Sequence, residues 1–214
     1  MIIADSTFFK RAEGLCVFRS SHLKKNLLWK EINYETIDVY KRGRLILEEY
    51  GFVVLAAVLD GRAGVRAVFT DVPVQMCQFH QKMIINRYIT TKPKLEAGIE
   101  LRDITHNLCK TSEEALSEVL SKWNDKWKEF LKERTTNSIT GKWHYTHKRL
   151  RSAYRSLKTN LPYLFTYQKY PELNIPNTTN SLDGSFSQLK ELVRIHRGIN
   201  KEMKRKIINE ILGK

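Results

Sequence analysis

The sequence predicts an α/β fold, in which a mixed five-stranded sheet with flanking helices is interrupted by an all-helical insertion before the last long helix. Three strand-like segments follow one another at the start of the chain, and the next two each follow a helical pattern. Between Lys94 and about Tyr170, apolar residues recur only at helical spacing. We therefore expect a core made of residues 1–92 and 171–214, with a helical insertion at residues 93–170.

The core begins with an antiparallel meander of three strands, predicted at Met1–Phe9, Gly14–Ser20 and Asn26–Asn33. A helix is predicted over Tyr34–Tyr50, because Gly51 follows it as a helix terminator. The residues expected on its buried face are Ile37, Tyr40, Leu45, Leu47 and Tyr50.

Eight consecutive apolar residues, Phe52–Leu59, predict a strand that is buried on both faces. The strand ends at Asp60, which puts a carboxylate at the carboxyl end of a central strand, where open α/β sheets bind their ligands. A short helical pattern then leads to a fifth strand, Val72–Phe79, which carries Cys77 and is followed by His80 and a helix.

The insertion and the closing segment are predicted to be helical. One strong amphipathic helix begins near Ser112 and includes Leu131, and a second around Leu150 has a basic outer face. The tryptophans of the first keep the helical period, so we expect them to pack rather than to stack on bases. After a loop, a last long helix is predicted with a buried stripe of Leu182, Phe186, Leu189 and Val193.

The composition is that of a globular protein, with 214 residues, 42% hydrophobic and 28% charged. No apolar segment has the length of a membrane span, and Met1 does not begin a signal segment. The three cysteines, Cys16, Cys77 and Cys109, are too few and too scattered for a disulfide framework, which favours a reducing interior.

The formal net charge of +14 is unevenly distributed. Residues 141–214 contain fifteen Lys and Arg against five Asp and Glu, whereas residues 1–140 contain twenty-two against eighteen. A basic carboxyl-terminal third predicts a polyanionic partner, with nucleic acid preferred over an anionic membrane. The alternative is a basic surface that serves only solubility.

Three carboxylates occupy positions from which they can converge: Asp5 in the first strand, Asp60 after the fourth, and Asp183 at the start of the last long helix. In a sheet ordered 3-2-1-4-5 the first and fourth strands are neighbours, and a helix across that sheet would add Asp183. Converging carboxylates repel one another unless divalent cations lie between them. Mg²⁺ suits oxygen ligands, and two such ions about 4 Å apart activate a water or a 3′-hydroxyl for attack on a phosphodiester.

Each of these residues also has a purely structural interpretation. Asp60 before a glycine is a common turn or N-cap, and Asn180 as N-cap with Asp183 three residues later approximates a capping box. Cys77 and His80 would supply half of a zinc site, but no paired spacing completes it among Cys16, Cys109, His144 and His147. We therefore expect Cys77 and His80 to brace the sheet or to contact DNA.

Together these motifs resemble the Mutator-type transposases of bacterial insertion sequences, a branch of the DDE transposases with an RNase H-like fold. The resemblance covers nearly the whole chain. It rests on the Asp5 strand, Leu59-Asp60-Gly61 with the later Cys77-x-x-His80, Thr178-Thr179-Asn180-Ser181-Leu182-Asp183-Gly184, and His196-Arg197-Gly198. It implies Mg²⁺, or Mn²⁺ as a substitute, bound by the catalytic residues Asp5, Asp60 and Asp183, with Cys77, His80 and Asn180 in support.

The resemblance implies an enzyme that hydrolyses a phosphodiester at a transposon end and joins the freed 3′-hydroxyl to target DNA. It would act as a homo-oligomer in the bacterial cytoplasm, in association with the nucleoid. Phosphate contacts are expected from the cations Arg194, Arg197, Lys201, Lys204, Arg205 and Lys206. Two alternatives stay open: a non-catalytic remnant that binds DNA or pairs with a transposase subunit, and a simple RNase H-like nuclease, against which the large insertion argues.

Two departures from the family's pattern bear on this expectation. Asp183 stands where the family usually carries Glu, so its carboxylate reaches one methylene less far. The first acid is already at position 5, which leaves no room for the family's amino-terminal DNA-recognition region and predicts a truncated or split element.

Overall fold

The computed structural model describes residues 1–195 and 198–213, apart from the side chain of Ala63. The strands there are β1 (Ile2–Lys10), β2 (Glu13–Ser20), β3 (Lys25–Ile32), β4 (Ala57–Leu59), β5 (Val74–Met76), β6 (Arg134–Thr136) and β7 (Trp143–Tyr145). The α-helices there are α1 (Ile37–Glu49), α2 (Ala63–Arg66), α3 (Gln78–Ile89), α4 (Glu96–His106), α5 (Glu113–Lys132), α6 (Lys148–Leu164), α7 (Thr166–Lys169), α8 (Asn180–Ile195) and α9 (Lys201–Leu212). No helix within these residues combines the length and the apolar character that a membrane span requires.

A mixed five-stranded sheet in the order β3-β2-β1-β4-β5 forms the centre of the fold. Strands β1, β2 and β3 form an antiparallel meander, while β1, β4 and β5 run parallel to one another. Helix α1 connects β3 to β4, and α2 lies between β4 and β5. The predicted α/β class, the strand order and the flanking helices are confirmed.

The side chains of this sheet alternate between two apolar layers, as strand geometry requires. The face that contains Ala4 and Leu59 packs against α1 and α2. The face that contains Ile3 and Val58 packs against α8 and α9. The sheet is therefore covered by helices on both faces, and the helix with the third predicted acid lies on the second of them.

The predicted strand Phe52–Leu59 is wrong in length, because β4 covers only its last three residues. Residues 52–55 are in no strand within the described part of the chain, and Val53 and Leu55 are 79% and 51% exposed. The Ile2 amide donates to the Ala56 carbonyl at 2.9 Å, and the pairing with β1 ends there because β1 begins at Ile2. On the other side β5 is preceded by Pro73, which has no N–H to donate to a longer ladder.

Two further boundaries differ from the prediction. The fifth strand was expected over Val72–Phe79, but β5 ends at Met76 and α3 begins at Gln78, so His80 lies on a helix. Helix α1 begins after Thr36, whose hydroxyl accepts a hydrogen bond from the amide of the third helical residue, and not at Tyr34. A side-chain cap of this kind fixes the first turn.

The buried face of helix α1 is confirmed only in part. Tyr40 and Leu47 are buried, and the third buried residue is Gly43. A Cβ atom on Gly43 would lie 2.2 Å from the Phe18 ring, so the glycine allows the helix backbone to approach β2 closely. A prediction from a stripe of apolar residues gives glycine no weight. It includes three residues that are exposed: Ile37, Leu45 and Tyr50.

The insertion is not all-helical, which corrects the prediction for residues 93–170. Strands β6 and β7 form an antiparallel two-stranded sheet. In the turn between them, the side-chain oxygen of Asn137 accepts hydrogen bonds from the amides of Ile139 and Thr140, and Gly141 adopts a positive φ of 65°. Strands of three residues are too short to produce a detectable periodicity.

The helices of the insertion share an apolar core with α3. Trp123 is buried in that core, donates from Nε1 to the carbonyl of Ala97, and stacks on Tyr154. It therefore packs, as its helical spacing indicates. Ser112 caps α5 through a hydrogen bond from the amide of Ala115.

A buried glutamine on β5 joins the insertion to the central sheet. The Nε2 group of Gln75 donates to the carbonyls of Met76 and Leu164, and its Oε1 accepts from the amide of Tyr167. Gln78, at the start of α3, also donates to the Leu164 carbonyl. The end of α6 and the start of α7 are thus held against the strand that leads to Cys77 and His80.

Candidate active site

The strand register brings the first two predicted acids to the same level of the sheet. The parallel pairing of β1 with β4, continued past its last paired residues, sets Asp5 opposite Asp60. The pairing of β4 with β5, continued by one residue, sets Asp60 opposite Cys77. By strand alternation Asp5 lies on the same face as Ile3, which is the face covered by α8.

Helix α8 brings the third acid to this edge. Leu182 and Phe186 are buried against the sheet, and Asp183 lies in the first turn of the helix. His80 approaches from the first turn of α3. One potential ligand atom from each of Asp5, His80 and Asp183 lies within 4.8 Å of the other two. These three residues are called the Asp–His–Asp cluster below.

Asp60 lies beside this cluster. Among the described residues it is not part of the group that converges within 4.8 Å, although its charge acts on Asp5. Its Oδ1 accepts a hydrogen bond of 3.0 Å from the amide of Arg62. Two of the three predicted acids therefore converge with His80, and the third is adjacent.

Thr179 is the residue that the sequence interpretation missed. It is fully buried and immediately precedes α8, and its hydroxyl lies 3.0 Å from Asp183 Oδ2, 3.4 Å from His80 Nδ1 and 3.4 Å from Cys77 Sγ. Its amide also donates to Cys77 Sγ. Asn180, which was expected to support the site or to cap the helix, is instead exposed and is the first residue of α8. The available signal was the threonine pair before the acid, but sequence does not show which member faces inward.

Burial dominates the electrostatics of Asp5. The carboxyl is only 5% exposed, and burial raises its pKa to about 7. The positive charge of His80 opposes this rise, while the charges of Asp60 and Asp183 add to it. The amide of Ser6 donates to Oδ1 at 2.7 Å and also favours the ionised form.

His80 supplies positive charge to the cluster. Its hydrogen bond with Cys77 raises its pKa to about 9 against the effect of burial, and the charges of Asp5 and Asp183 add to the rise. Burial disfavours the Cys77 thiolate, but hydrogen bonds from His80 and Thr179 outweigh it and lower the Cys77 pKa below its ordinary value. Cys77 therefore contacts His80 and Thr179, and among the described residues it is not part of the group that converges within 4.8 Å.

The donor set fits a divalent cation. Two carboxylates converge there with one imidazole, and burial together with the charges of Asp60 and Asp183 disfavours the ionised form of Asp5. A cation between Asp5 and Asp183 would favour that ionised form. Two carboxylates suit Mg²⁺ or Mn²⁺, whereas a set that includes the His80 imidazole also suits Zn²⁺ or Fe²⁺.

The alternative of a zinc site built on Cys77 gains no support within residues 1–195 and 198–213, where the converging group is the Asp–His–Asp cluster. Cys16 is buried and Cys109 is exposed. His147 stacks on Phe130 and hydrogen-bonds to Glu133, so it serves the insertion.

The loop after Asp60 depends on Gly61. This residue has a φ of +102°, and a Cβ atom there would lie 2.1 Å from Met76 Cε. Its carbonyl accepts a hydrogen bond from Arg66, which also bonds to Asn160 on α6. The position of the Asp60 loop is thus fixed by backbone conformation, by close packing on β5 and by the insertion.

We expect Gly61→Ala to lower the free energy of unfolding by about 2 kcal/mol, because it combines an unfavourable positive φ with overpacking against Met76. Denaturant unfolding would measure the change. Gly184→Ala is the matched control, since no atom lies within 4 Å of its added Cβ in a helix. Equal stability of the two variants would contradict this account of the loop.

The cations predicted to contact DNA divide into two groups. Lys204 forms an ion pair with Glu13, and Arg205 donates from two nitrogens to the carboxylate of Glu31. These pairs attach α9 to strands β2 and β3, so both cations have a structural role.

The remaining predicted cations are more accessible. Lys201 is exposed, and Arg194 pairs with Glu191 on the surface of α8 at 2.7 Å. Lys206 pairs with Glu202 along α9. Arg197, together with His196 of the family motif, lies outside the described residues.

The sequence matches no protein-family model, and a search of curated proteins found no significant match. The relation to Mutator-type transposases therefore rests on the motifs and remains a prediction.

Proposed function

We propose that this chain is the RNase H-like catalytic core of a Mutator-type DDE transposase, which cleaves and transfers DNA strands with the help of divalent cations. The observation that carries this proposal is the convergence of Asp5, His80 and Asp183 at the carboxyl edge of the parallel strands, with Asp60 adjacent. The motifs imply catalytic acids at these positions on a sheet with the strand order 3-2-1-4-5, and the central sheet has that order.

In this proposal Asp5 and Asp183 hold the first cation, and Asp60 with Asp5 helps to hold the second. Cations bound there would lower the pKa of a water or 3′-hydroxyl and stabilise the leaving oxygen of the phosphodiester. Thr179 fixes the Asp183 carboxylate through a 3.0 Å hydrogen bond, and Cys77 fixes His80. His80 is then placed to donate a hydrogen bond to a phosphate oxygen or to complete the metal ligands.

A basic groove supports a path for the DNA strand. It has a volume of about 1020 Å³ and lies between the β1–β2 turn and helices α8 and α9. From Asp5 to Lys10 along β1, and from Asp183 to Arg194 along α8, the distance is about 17 Å in each case. Both elements therefore lead from the cluster to the groove. Its cations are Lys10, Arg11, Lys190, Arg194, Lys201 and Lys204.

A second candidate function is favoured by the position of Asp60 outside the converging group. If Asp60 and the shortened acid at position 183 cannot together hold two cations, the chain is a catalytically impaired remnant that binds DNA or pairs with a transposase subunit. The same groove would serve that role.

The test is the cleavage of pre-nicked DNA in Mn²⁺ by the wild type, Asp183→Glu and Asp183→Asn. We expect Asp183→Glu to raise the rate by up to about 100-fold, because a displacement of about 1 Å at a reacting centre changes rates by that order. We expect Asp183→Asn to abolish cleavage, as EDTA should in the wild type. Absence of cleavage by both the wild type and Asp183→Glu, with DNA binding retained, would favour the remnant.

A further inference from the structure

A second basic site lies in the insertion, on a different part of the fold from the Asp–His–Asp cluster. Helices α5 and α6 enclose a cleft of about 360 Å³. Its lining includes Leu131, Tyr154 and Asn124. The rest of the lining consists of five cations and no acid: Lys128, Lys132, Arg151, Arg155 and Lys158.

Three of these cations have no partner among the residues that the structure describes. Lys128, Arg155 and Lys158 are exposed and form no hydrogen bond or ion pair within the described part of the chain. The other two are held in position. Lys132 pairs with Glu129, and Arg151 donates to the carbonyl of Leu131 and lies 3.7 Å above the Tyr145 ring.

Five cations around one small cleft repel one another, and this repulsion is relieved when a polyanion binds. Arg151, Arg155 and Lys158 follow one face of α6 at intervals of four and three residues. They span about 10 Å of the helix axis, a length of duplex axis over which one strand of B-DNA, rising about 3.4 Å per nucleotide, presents about three phosphates. The spacing therefore suits a row of backbone phosphates better than a single anion.

The lining of the cleft does not suit insertion into a membrane. Leu131 is buried, and Tyr154 is partly buried through its stacking on Trp123. Membrane-surface helices instead combine their cations with exposed apolar side chains. A cleft whose cations are exposed and whose apolar residues are buried or partly buried favours the phosphate backbone of a duplex.

We propose that the α5–α6 cleft binds the phosphate backbone of double-stranded DNA at a site separate from the catalytic cluster. The proposal rests on the proposed function only in the choice of DNA as the polyanion. It makes the insertion a second anchor for the duplex, held to β5 by Gln75 and to α3 by Gln78.

The test compares the wild type with the triple variant Lys128→Gln/Arg155→Gln/Lys158→Gln, using a fluorescent 30-base-pair duplex in EDTA so that metal-dependent chemistry plays no part. Each phosphate contact contributes about −0.9 to the slope of log affinity against log salt. Loss of three contacts should therefore make the variant less sensitive to salt. Between 50 and 200 mM salt we expect the wild-type affinity to fall about 40-fold more than that of the variant.

Lys25→Gln/Lys41→Gln/Lys92→Gln removes the same charge from exposed positions elsewhere and should keep the wild-type salt slope. An unchanged slope in the cleft variant, or equal slopes in both variants, would overturn the proposal. So would binding of the cleft to vesicles of phosphatidylserine and phosphatidylcholine in preference to DNA. If the wild type fails to cleave DNA but the cleft variant loses salt-dependent binding, the proposed function fails and this inference stands.

Discussion

Asp5→Asn should raise the free energy of unfolding at pH 8 by up to about 4 kcal/mol while abolishing metal-dependent DNA cleavage. The folded chain holds the Asp5 proton up to about pH 7, whereas the unfolded chain releases it near pH 4. The folded state therefore binds more protons between these values, and stability falls as the pH rises from 4 to 7. Above pH 7 the full net cost of the buried charge is present, and this cost already includes its favourable interaction with His80.

Thermal and denaturant unfolding at pH 5 and pH 8 would measure this effect. The difference between wild type and Asp5→Asn should be small at pH 5 and large at pH 8. Mn²⁺ should stabilise the wild type at pH 8 and leave the variant unaffected, because a bound cation offsets the buried charge. Asp125→Asn, which removes an exposed carboxylate from α5, should change neither property. A variant that is less stable than the wild type at pH 8 would refute the assignment of Asp5 as a strained carboxylate.

The placement of this carboxylate was predictable because it depends on strand order. Asp5 and Asp60 follow parallel neighbouring strands, and alternation along β1 determines which face Asp5 occupies. Asp183 was predictable for a similar reason, since its helix carries the buried residues Leu182 and Phe186. When an element has a strong periodic pattern, the sequence predicts on which face of it a given residue lies.

The contacts within the site were not predictable. Thr179 and Asn180 are adjacent polar residues, and only the tertiary packing of α8 decides that the first is buried against Cys77. The conformation of the loop after Asp60 likewise depends on the positive φ of Gly61 and on its close packing against Met76. Such contacts depend on distances below 5 Å between elements that are far apart in the chain, and a residue pattern does not contain these distances.

The fold prediction failed where pairing partners, rather than side chains, limit an element. An apolar run of eight residues gave a strand of three, because β4 has partners only where β1 and β5 supply them. The opposite error occurred at Gly43, where the absence of a side chain allows α1 to approach Phe18 on β2 closely. Both errors concern backbone geometry, to which hydrophobic periodicity is insensitive.

Gln75→Leu should lower the free energy of unfolding by about 3 kcal/mol and also weaken metal-dependent cleavage. Leucine has a similar volume but cannot replace the three hydrogen bonds that Gln75 forms with Met76, Leu164 and Tyr167. The Tyr167 amide would lose its side-chain acceptor in a buried setting, which costs about 1–3 kcal/mol for each such group. Leu164 would keep its bond from Gln78, so the loss should be partial.

Gln168→Leu is the matched control, because Gln168 also forms two hydrogen bonds but is exposed to solvent. Water can replace its partners, so its stability should stay within about 0.5 kcal/mol of the wild type. A cleavage assay distinguishes the effect of Gln75 on stability from its effect on the candidate site, because β5 leads directly to Cys77 and His80. At a temperature where both variants are fully folded, only Gln75→Leu should lose activity. Equal activity of the two would mean that Gln75 fixes the insertion without positioning the cluster.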